Sequence, residues 1–318
     1  MSQSRSSRRE FLFRSVVVSG GVAAFSTVPE WAWALHAQGD LLAQMRAGMG
    51  ATPITSQSLA PNLTMLAGPG GNVLVLNGAD GKVIVDTFVQ PAWSNLKIAL
   101  DKIGTQKIAT VIDTHWHFDH ADNNAALRKE GAQVVAHDNT KQRMMQSHEL
   151  LGAKIPPSPA DALPTQTFSV TRRISANGET VMLGHIPPAH TDTDIYVKFE
   201  KANVLHLGDV FFNGMYPVID GSTGGNINGM IGGVTASMKQ ADASTKIVPG
   251  HGPVGDVKAL TSYRDMLITV RDRLAALKKS GQTLEQVVKA APTKDLDATW
   301  GKGFLTPAQF LAMAYPTL

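Results

Sequence analysis

No cysteine occurs anywhere in the 318 residues, which excludes disulfides, thiolate metal ligands and any lipid anchor carried on a cysteine. No apolar run is long enough to cross a bilayer: the most hydrophobic early stretch, Ser15 to Val28, is short and interrupted by glycine and serine. No repeat recurs at a fixed period. A G-x-S-x-G signature is absent, so a serine nucleophile of that kind is not indicated. The glycine-rich piece Asp220-Gly221-Ser222-Thr223-Gly224-Gly225-Asn226 lacks the Lys-Ser/Thr ending of a phosphate loop. Charge is also nearly balanced. Of 29 basic and 26 acidic residues, four arginines (Arg5, Arg8, Arg9, Arg14) and two glutamates (Glu10, Glu30) lie within residues 1–34, leaving 25 and 24 for the remainder. A body that close to neutral lacks the basic stripe that nucleic-acid binding requires, and no nucleic-acid partner is expected.

What is present is concentrated in His115-Trp116-His117-Phe118-Asp119-His120, four metal-ligand side chains within six residues. It follows Ile108-Ala109-Thr110-Val111-Ile112-Asp113, a β-branched run that reads as a buried strand. A loop leaving a strand end is where a rigid scaffold can aim several side chains at one point. Imidazole with carboxylate suits zinc or another first-row divalent ion, and four candidates so close together suggest two metals. Further candidates follow other strand-like segments: His190 after Thr180–Leu183, Asp209 at the end of Val204–Gly208, and His251 after Thr245–Val248. Each is weak alone. Together they make five histidines and two aspartates, enough for a binuclear site in which Asp209 can give one oxygen to each cation.

H-x-H-x-D-H, Ala-His-Thr at 189–191, Leu-Gly-Asp at 207–209 and Pro-Gly-His-Gly at 249–252, in that order, resemble the metallo-β-lactamase fold superfamily over about residues 63–256. The resemblance implies a four-layer αβ/βα sandwich. It implies that His115, His117 and His190 hold one metal, that Asp119, His120 and His251 hold a second, and that Asp209 bridges them. Asp86 matches a family aspartate that supports the ligand loop from behind. Two zinc ions per chain are expected, with iron as the other possibility. The activity implied is attack of a metal-activated hydroxide on an activated carbonyl in a small molecule (a β-lactam, lactone or thioester), with Asp119 also holding the nucleophile. An aspartate at 209, where many β-lactamases have cysteine, resembles glyoxalase II-like hydrolases and lactonases. Phe212 stands where the family commonly has lysine or tyrosine, and Tyr216 is the nearest residue able to take a polar role. The alternatives are a mono-iron sulfur dioxygenase and an accessory metal-binding protein of an exported redox system.

Ser7-Arg8-Arg9-Glu10-Phe11-Leu12, followed by Ala32-Trp33-Ala34, resembles a twin-arginine export signal with its cleavage site. The export machinery is then a partner, the address periplasmic or secreted, and no membrane anchor remains after cleavage. The chain divides into a leader (1–34), a lead-in (35–62), a catalytic domain (63–256) and a C-terminal helical extension (257–318).

Within the catalytic domain, Asn72–Asn77 and Lys82–Thr87 read as a hairpin around Gly78-Ala79-Asp80-Gly81. Helices are expected over Pro91–Ile103, Ala121–Lys129 and Asn139–Leu151, with another from near Ile227. Leu260, Tyr263, Leu267, Val270, Leu274 and Leu277 form one apolar stripe of a long helix. Asp256 is its expected N-cap and Gly281 its stop, and Thr283-x-x-Gln286 and Thr306-x-x-Gln309 read as capping boxes. His206 is read as a core histidine, His185 as a rival of His190, and His137 and His148 as surface residues.

Overall fold

The computed structural model describes residues 41–318; the expected export signal lies outside the described residues. The strands are β1 (Thr55–Ala60), β2 (Leu63–Ala67), β3 (Val73–Leu76), β4 (Lys82–Val85), β5 (Ile108–Ile112), β6 (Gln133–His137), β7 (His148–Leu150), β8 (Ala153–Ile155), β9 (Gln166–Phe168), β10 (Thr171–Ala176), β11 (Glu179–His185), β12 (Ile195–Phe199), β13 (Val204–His206) and β14 (Lys246–Val248). They form a seven-stranded sheet in the order β1-β2-β3-β4-β5-β6-β9, a five-stranded sheet in the order β10-β11-β12-β13-β14, and the hairpin β7-β8. The helices are α1 (Leu41–Gly50), α2 (Trp93–Ile103), α3 (Phe118–Ala121), α4 (Asn124–Lys129), α5 (Asp138–Met144), α6 (Ile227–Met238), α7 (Val257–Lys279), α8 (Leu284–Ala290), α9 (Asp297–Trp300) and α10 (Pro307–Ala314).

Side chains alternate across a strand, and here each face has its own partner. Leu74, Leu76, Val83, Val85, Ile112 and Val135 meet Leu183, Val197, Phe199, Val204 and Val248 of the second sheet in one core. Their neighbours Val73, Val75, Ile84, Val111, Val134, Leu205 and Ile247 belong to the other core, with Leu96 and Leu100 of α2, Met230 and Val234 of α6, and Leu260 and Leu267 of α7. Central strands buried on both faces explain the near-continuous apolar runs at 73–76 and 108–112. The result is the expected four-layer αβ/βα sandwich, with helices following it at the C-terminus.

Strand direction positions the site. Strands β4, β5 and β6 run parallel, so their C-terminal ends share one edge. Strand β13 is parallel to β14 and antiparallel to β12, which is antiparallel to β11, so β11, β13 and β14 also end together. Asp86, the His115–His120 loop, His190, Asp209 and His251 each follow one of these ends.

Most local expectations hold. Helix α7 is capped by Asp256, whose Oδ1 accepts from Ala259 N at 2.8 Å, and both capping boxes are formed. Two helices differ. The expected Ala121–Lys129 helix is broken after Ala121, because Asp122 pairs with Arg46 and Asn123 Nδ2 donates to the carbonyls of Thr87 and Val89 at 2.6 and 3.0 Å. The expected Asn139–Leu151 helix stops at Met144 and gives way to the β7-β8 hairpin. Leu151 and Gly152, both with positive φ, turn that hairpin so that Leu150, Ala153 and Ile155 reach the core. Tertiary burial outweighs helix propensity there.

Candidate metal centre

The seven expected ligands converge in two groups. His115, His117, His190 and Asp209 form one and Asp119, His120 and His251 the other, with potential ligand atoms inside each group no more than 4.8 Å apart. Asp209 joins them. Its Oδ2 lies 3.9 Å from His115 Nε2, 3.6 Å from His190 Nε2 and 3.5 Å from His251 Nε2. Its Oδ1 lies 3.2 Å from His120 Nε2. Within the groups, His117 Nδ1 and His190 Nε2 are 2.9 Å apart, and Asp119 Oδ2 is 3.2 Å from His251 Nε2.

The opposite ring nitrogens of His115, His117, His120 and His190 are anchored, which fixes the direction of those four imidazoles. Asp86 Oδ2 lies 2.7 Å from His120 Nδ1 and accepts from Thr114 Oγ1 at 2.8 Å; that hydroxyl lies 3.0 Å from His115 Nδ1. One carboxylate thereby steers a ligand in each group. His190 Nδ1 donates to Val218 O at 2.8 Å. His117 Nε2 is 3.2 Å from Asp220 Oδ2, and Asp220 is itself held by Ser222 and Thr223.

Two glycines let backbone approach. A Cβ on Gly71 would lie 2.0 Å from the His120 ring, and one on Gly250 would lie 1.9 Å from Asp209 Oδ1. Asn72 ties these two turns together, its Nδ2 donating to Pro249 O and Gly252 O at 3.0 and 2.9 Å.

Residues 67–270 match the model of the Metallo-beta-lactamase superfamily. The chain belongs to that superfamily. A curated relative, the alpha subunit of 2,4-dinitroanisole O-demethylase from Nocardioides sp. (strain JS1661), is 28% identical over 145 residues, which are 44% of this chain and 41% of that protein. The match thus spans about two fifths of the relative's length. A metallo-beta-lactamase from Pontibacter korlensis has a TM-score of 0.57 at 16% identity, covering 67% of this chain and 98% of its own. A stereoselective inverting sec-alkylsulfatase from Pseudomonas sp. has a TM-score of 0.59 at 16% identity, covering 86% of this chain and 51% of its own.

Charge is divided unequally within this metallo-beta-lactamase-fold centre. Burial, with neighbouring imidazoles, holds His115 well below the usual histidine range and brings His190 down to about 4. Burial also opposes the charged forms of His120 and His251, but Asp209 and Asp119 outweigh it; His120 is raised well above its ordinary value and His251 to about 9. Burial pushes the Asp209 carboxyl up, yet His251 and His120 hold it well below its ordinary value.

Of the other histidines, His206 is buried and bonded to Asn72 O at 3.0 Å, as expected of a core residue. His185 does not reach the cluster. It stacks face to face on His137 at 3.8 Å, and His137 is buried at the end of β6, against the expectation of a surface residue. His148 likewise is half-buried and packs on Trp116 at 4.5 Å. Tyr216 turns away from the centre: its hydroxyl donates to Asp297 Oδ1 at 2.8 Å and its ring stacks on Phe310. Phe211 and Phe212 are both fully buried. Sequence reasoning missed Thr114, Asp194 and Asp220 as supports. Asp194 accepts from the His190 and Thr191 amides at 2.8 and 2.9 Å. The Asp-x-Ser/Thr turn at 220–223 was the one available signal for Asp220.

Proposed function

We propose that the protein is a binuclear zinc hydrolase acting on an activated carbonyl in a small molecule, a β-lactam, lactone or thioester. The observation that carries this reading is the Asp209 carboxylate reaching both ligand groups, while His115 Nε2, His120 Nε2 and Asp209 Oδ1 are buried without hydrogen-bond partners. Buried polar atoms are normally satisfied, so these unsatisfied ring nitrogens and this carboxylate oxygen fit a cation on each side. Five imidazoles and two carboxylates with no sulfur suit zinc. His115, His117 and His190 would hold one ion, Asp119, His120 and His251 the other, and Asp209 both. Two zinc ions held there would supply a water acidified to near neutrality and positive charge for the carbonyl oxygen.

The protein's own part is orientation and proton handling. Asp86 and Thr114, Asp220 and Val218 O fix which nitrogen of His115, His117, His120 and His190 faces inward. The Asp119 carboxylate is, with His251, the more exposed of the candidate ligands, with Oδ2 turned to His251; its second oxygen would hold the attacking water by hydrogen bonding. An exported location, through the twin-arginine-like leader, belongs to the same proposal.

The decisive experiment combines metal analysis with hydrolysis before and after chelation. The panel would contain a β-lactam, a lactone, a thioester, a secondary alkyl sulfate and 2,4-dinitroanisole, the last two because the named similar proteins act on such compounds. About two zinc ions per chain and zinc-restored cleavage of a carbonyl substrate are expected. About one iron per chain, with oxygen uptake on persulfide and no hydrolysis, would sink the proposal.

A further inference from the structure

The centre is reached from the His251 side. The His251 and Asp119 side chains keep 14% and 10% of their surface exposed, whereas those of His115, His117, His120, His190 and Asp209 keep 5% or less. A molecule arriving from solvent meets His251 and Asp119 first. Two aromatic rings flank His251. Phe212 stacks on it at 5.3 Å and 16°, but Phe212 is fully buried and only props the imidazole from behind. Phe304, from the loop between α9 and α10, meets His251 edge to face at 5.5 Å and packs on Phe212 at 5.9 Å. Unlike Phe212 it is only half-buried, so part of its ring remains at the opening.

The segment carrying Phe304 is tied down on both sides. Before it, Trp300 O accepts from Tyr216 N at 2.8 Å, and Asp297 accepts from the Tyr216 hydroxyl. After it, Leu305 is buried and Thr306 opens α10 with a capping box. Gly303 permits the close fit, since a Cβ there would lie 2.6 Å from the Met215 Cβ. Met215, also half-buried, extends the same apolar surface.

We infer that Phe304 is a specificity-determining residue: its exposed face is an apolar wall for the alkyl or aryl part of a substrate whose reacting group sits at the centre. The C-terminal extension thereby completes the site rather than only packing behind it. This rests on the hydrolase reading above. Burial of a hydrocarbon against such a wall strengthens binding by up to about fourfold per methylene, and ring-on-ring contact adds to it.

The test is calorimetric titration of the zinc-loaded protein with acetate, butyrate, hexanoate and 4-phenylbutyrate, for wild type, Phe304→Ala and Phe304→Leu. In wild type, affinity should rise steadily from acetate to 4-phenylbutyrate. Phe304→Ala should flatten that series, weakening 4-phenylbutyrate about tenfold or more while leaving acetate unchanged, and Phe304→Leu should restore most of the slope for the alkyl acids. A variant that merely loosens the fold would weaken all four acids together, so equal slopes in wild type and Phe304→Ala overturn the inference, as does a wild type that binds the acids without regard to length. Because titration needs no turnover, failure of the hydrolase reading shows separately, as zinc-loaded protein that cleaves nothing in the substrate panel.

Discussion

His115, His117 and His190 form the floor group of the centre, and Asp119, His120 and His251 the mouth group, which holds its two most exposed side chains, Asp119 and His251; the two groups reach ligand readiness by opposite routes. The floor is all imidazole. Burial keeps His115 and His190 neutral, one well below the usual range and the other at about 4, so neither has an extra proton to lose at neutral pH. The mouth has a carboxylate of its own and shares Asp209, and these charges overcome burial to keep His120 and His251 protonated in the metal-free protein. His120 is as buried as His115 and His190 yet keeps its proton, so the balance of nearby acids, not burial alone, decides protonation. His115 and His190 can therefore take up a cation without shedding a proton, whereas His120 and His251 must exchange protons for theirs.

The largest effect should come from the residue common to both groups. Asp209→Asn keeps the shape but removes the bridging charge. We expect zinc content to fall below one ion per chain by elemental analysis, and hydrolysis to fall at least about a thousandfold, or about 4 kcal/mol of transition-state stabilisation. Retention of two ions would break the bridging assignment. The next contrast separates the groups. His190→Ala and His251→Ala should each leave about one zinc bound, and the two single-zinc proteins should differ in how pH affects the retained ion. Identical pH behaviour in both would erase the distinction between floor and mouth.

The convergence of the seven candidate residues was legible in sequence because metal chemistry restricts residue type and strand ends restrict position: His, Asp and His again, each just past a β-branched run. The double burial of the central strands was legible for the same reason, in apolar runs such as Val73–Leu76. What could not be read is pairing between distant loops. Asp220 supports His117 across 103 residues of chain, and nothing in Asp-Gly-Ser-Thr specifies which histidine it meets. His137 and His185 stack because strands of different sheets end side by side, a fact of packing rather than of either local sequence. Strand β7 falls inside the expected Asn139–Leu151 helix because its residues are tolerated in helices and the turn at Leu151 and Gly152 lacks a strong signature. Phe304 lies 53 residues beyond His251 in the chain, outside the apolar stripe of the C-terminal extension and in no motif that marks it.

The residues behind the ligands offer a smaller and more selective probe. Removing a supporting carboxylate typically costs about ten- to a hundredfold in metal affinity. Asp220→Asn acts through His117 and should weaken the floor ion alone. Asp86→Asn touches His120 directly and His115 through Thr114, so it should weaken both ions, the mouth ion more. Competition with a chromophoric chelator resolves the two steps, and loss confined to the mouth in both variants would contradict the assigned pairings.

The finest expected difference is in pH dependence. His251 is raised from 6.5 to about 9 in the folded, metal-free protein. A raised histidine contributes stability fully present below pH 6.5 and lost as pH climbs through 9. Zinc at the mouth competes with that proton, so its affinity should grow by up to about tenfold per pH unit for each proton displaced across the same interval. The floor ion should change little there, because His115 and His190 have already lost their protons. Thermal unfolding of metal-free and zinc-loaded protein from pH 6 to 9 reads both trends. The gap in Tm should widen with pH in wild type and in His190→Ala, and should stay nearly constant in His251→Ala. A gap that narrows toward pH 9 would mean that the mouth's carboxylates do not hold His251 in its charged form.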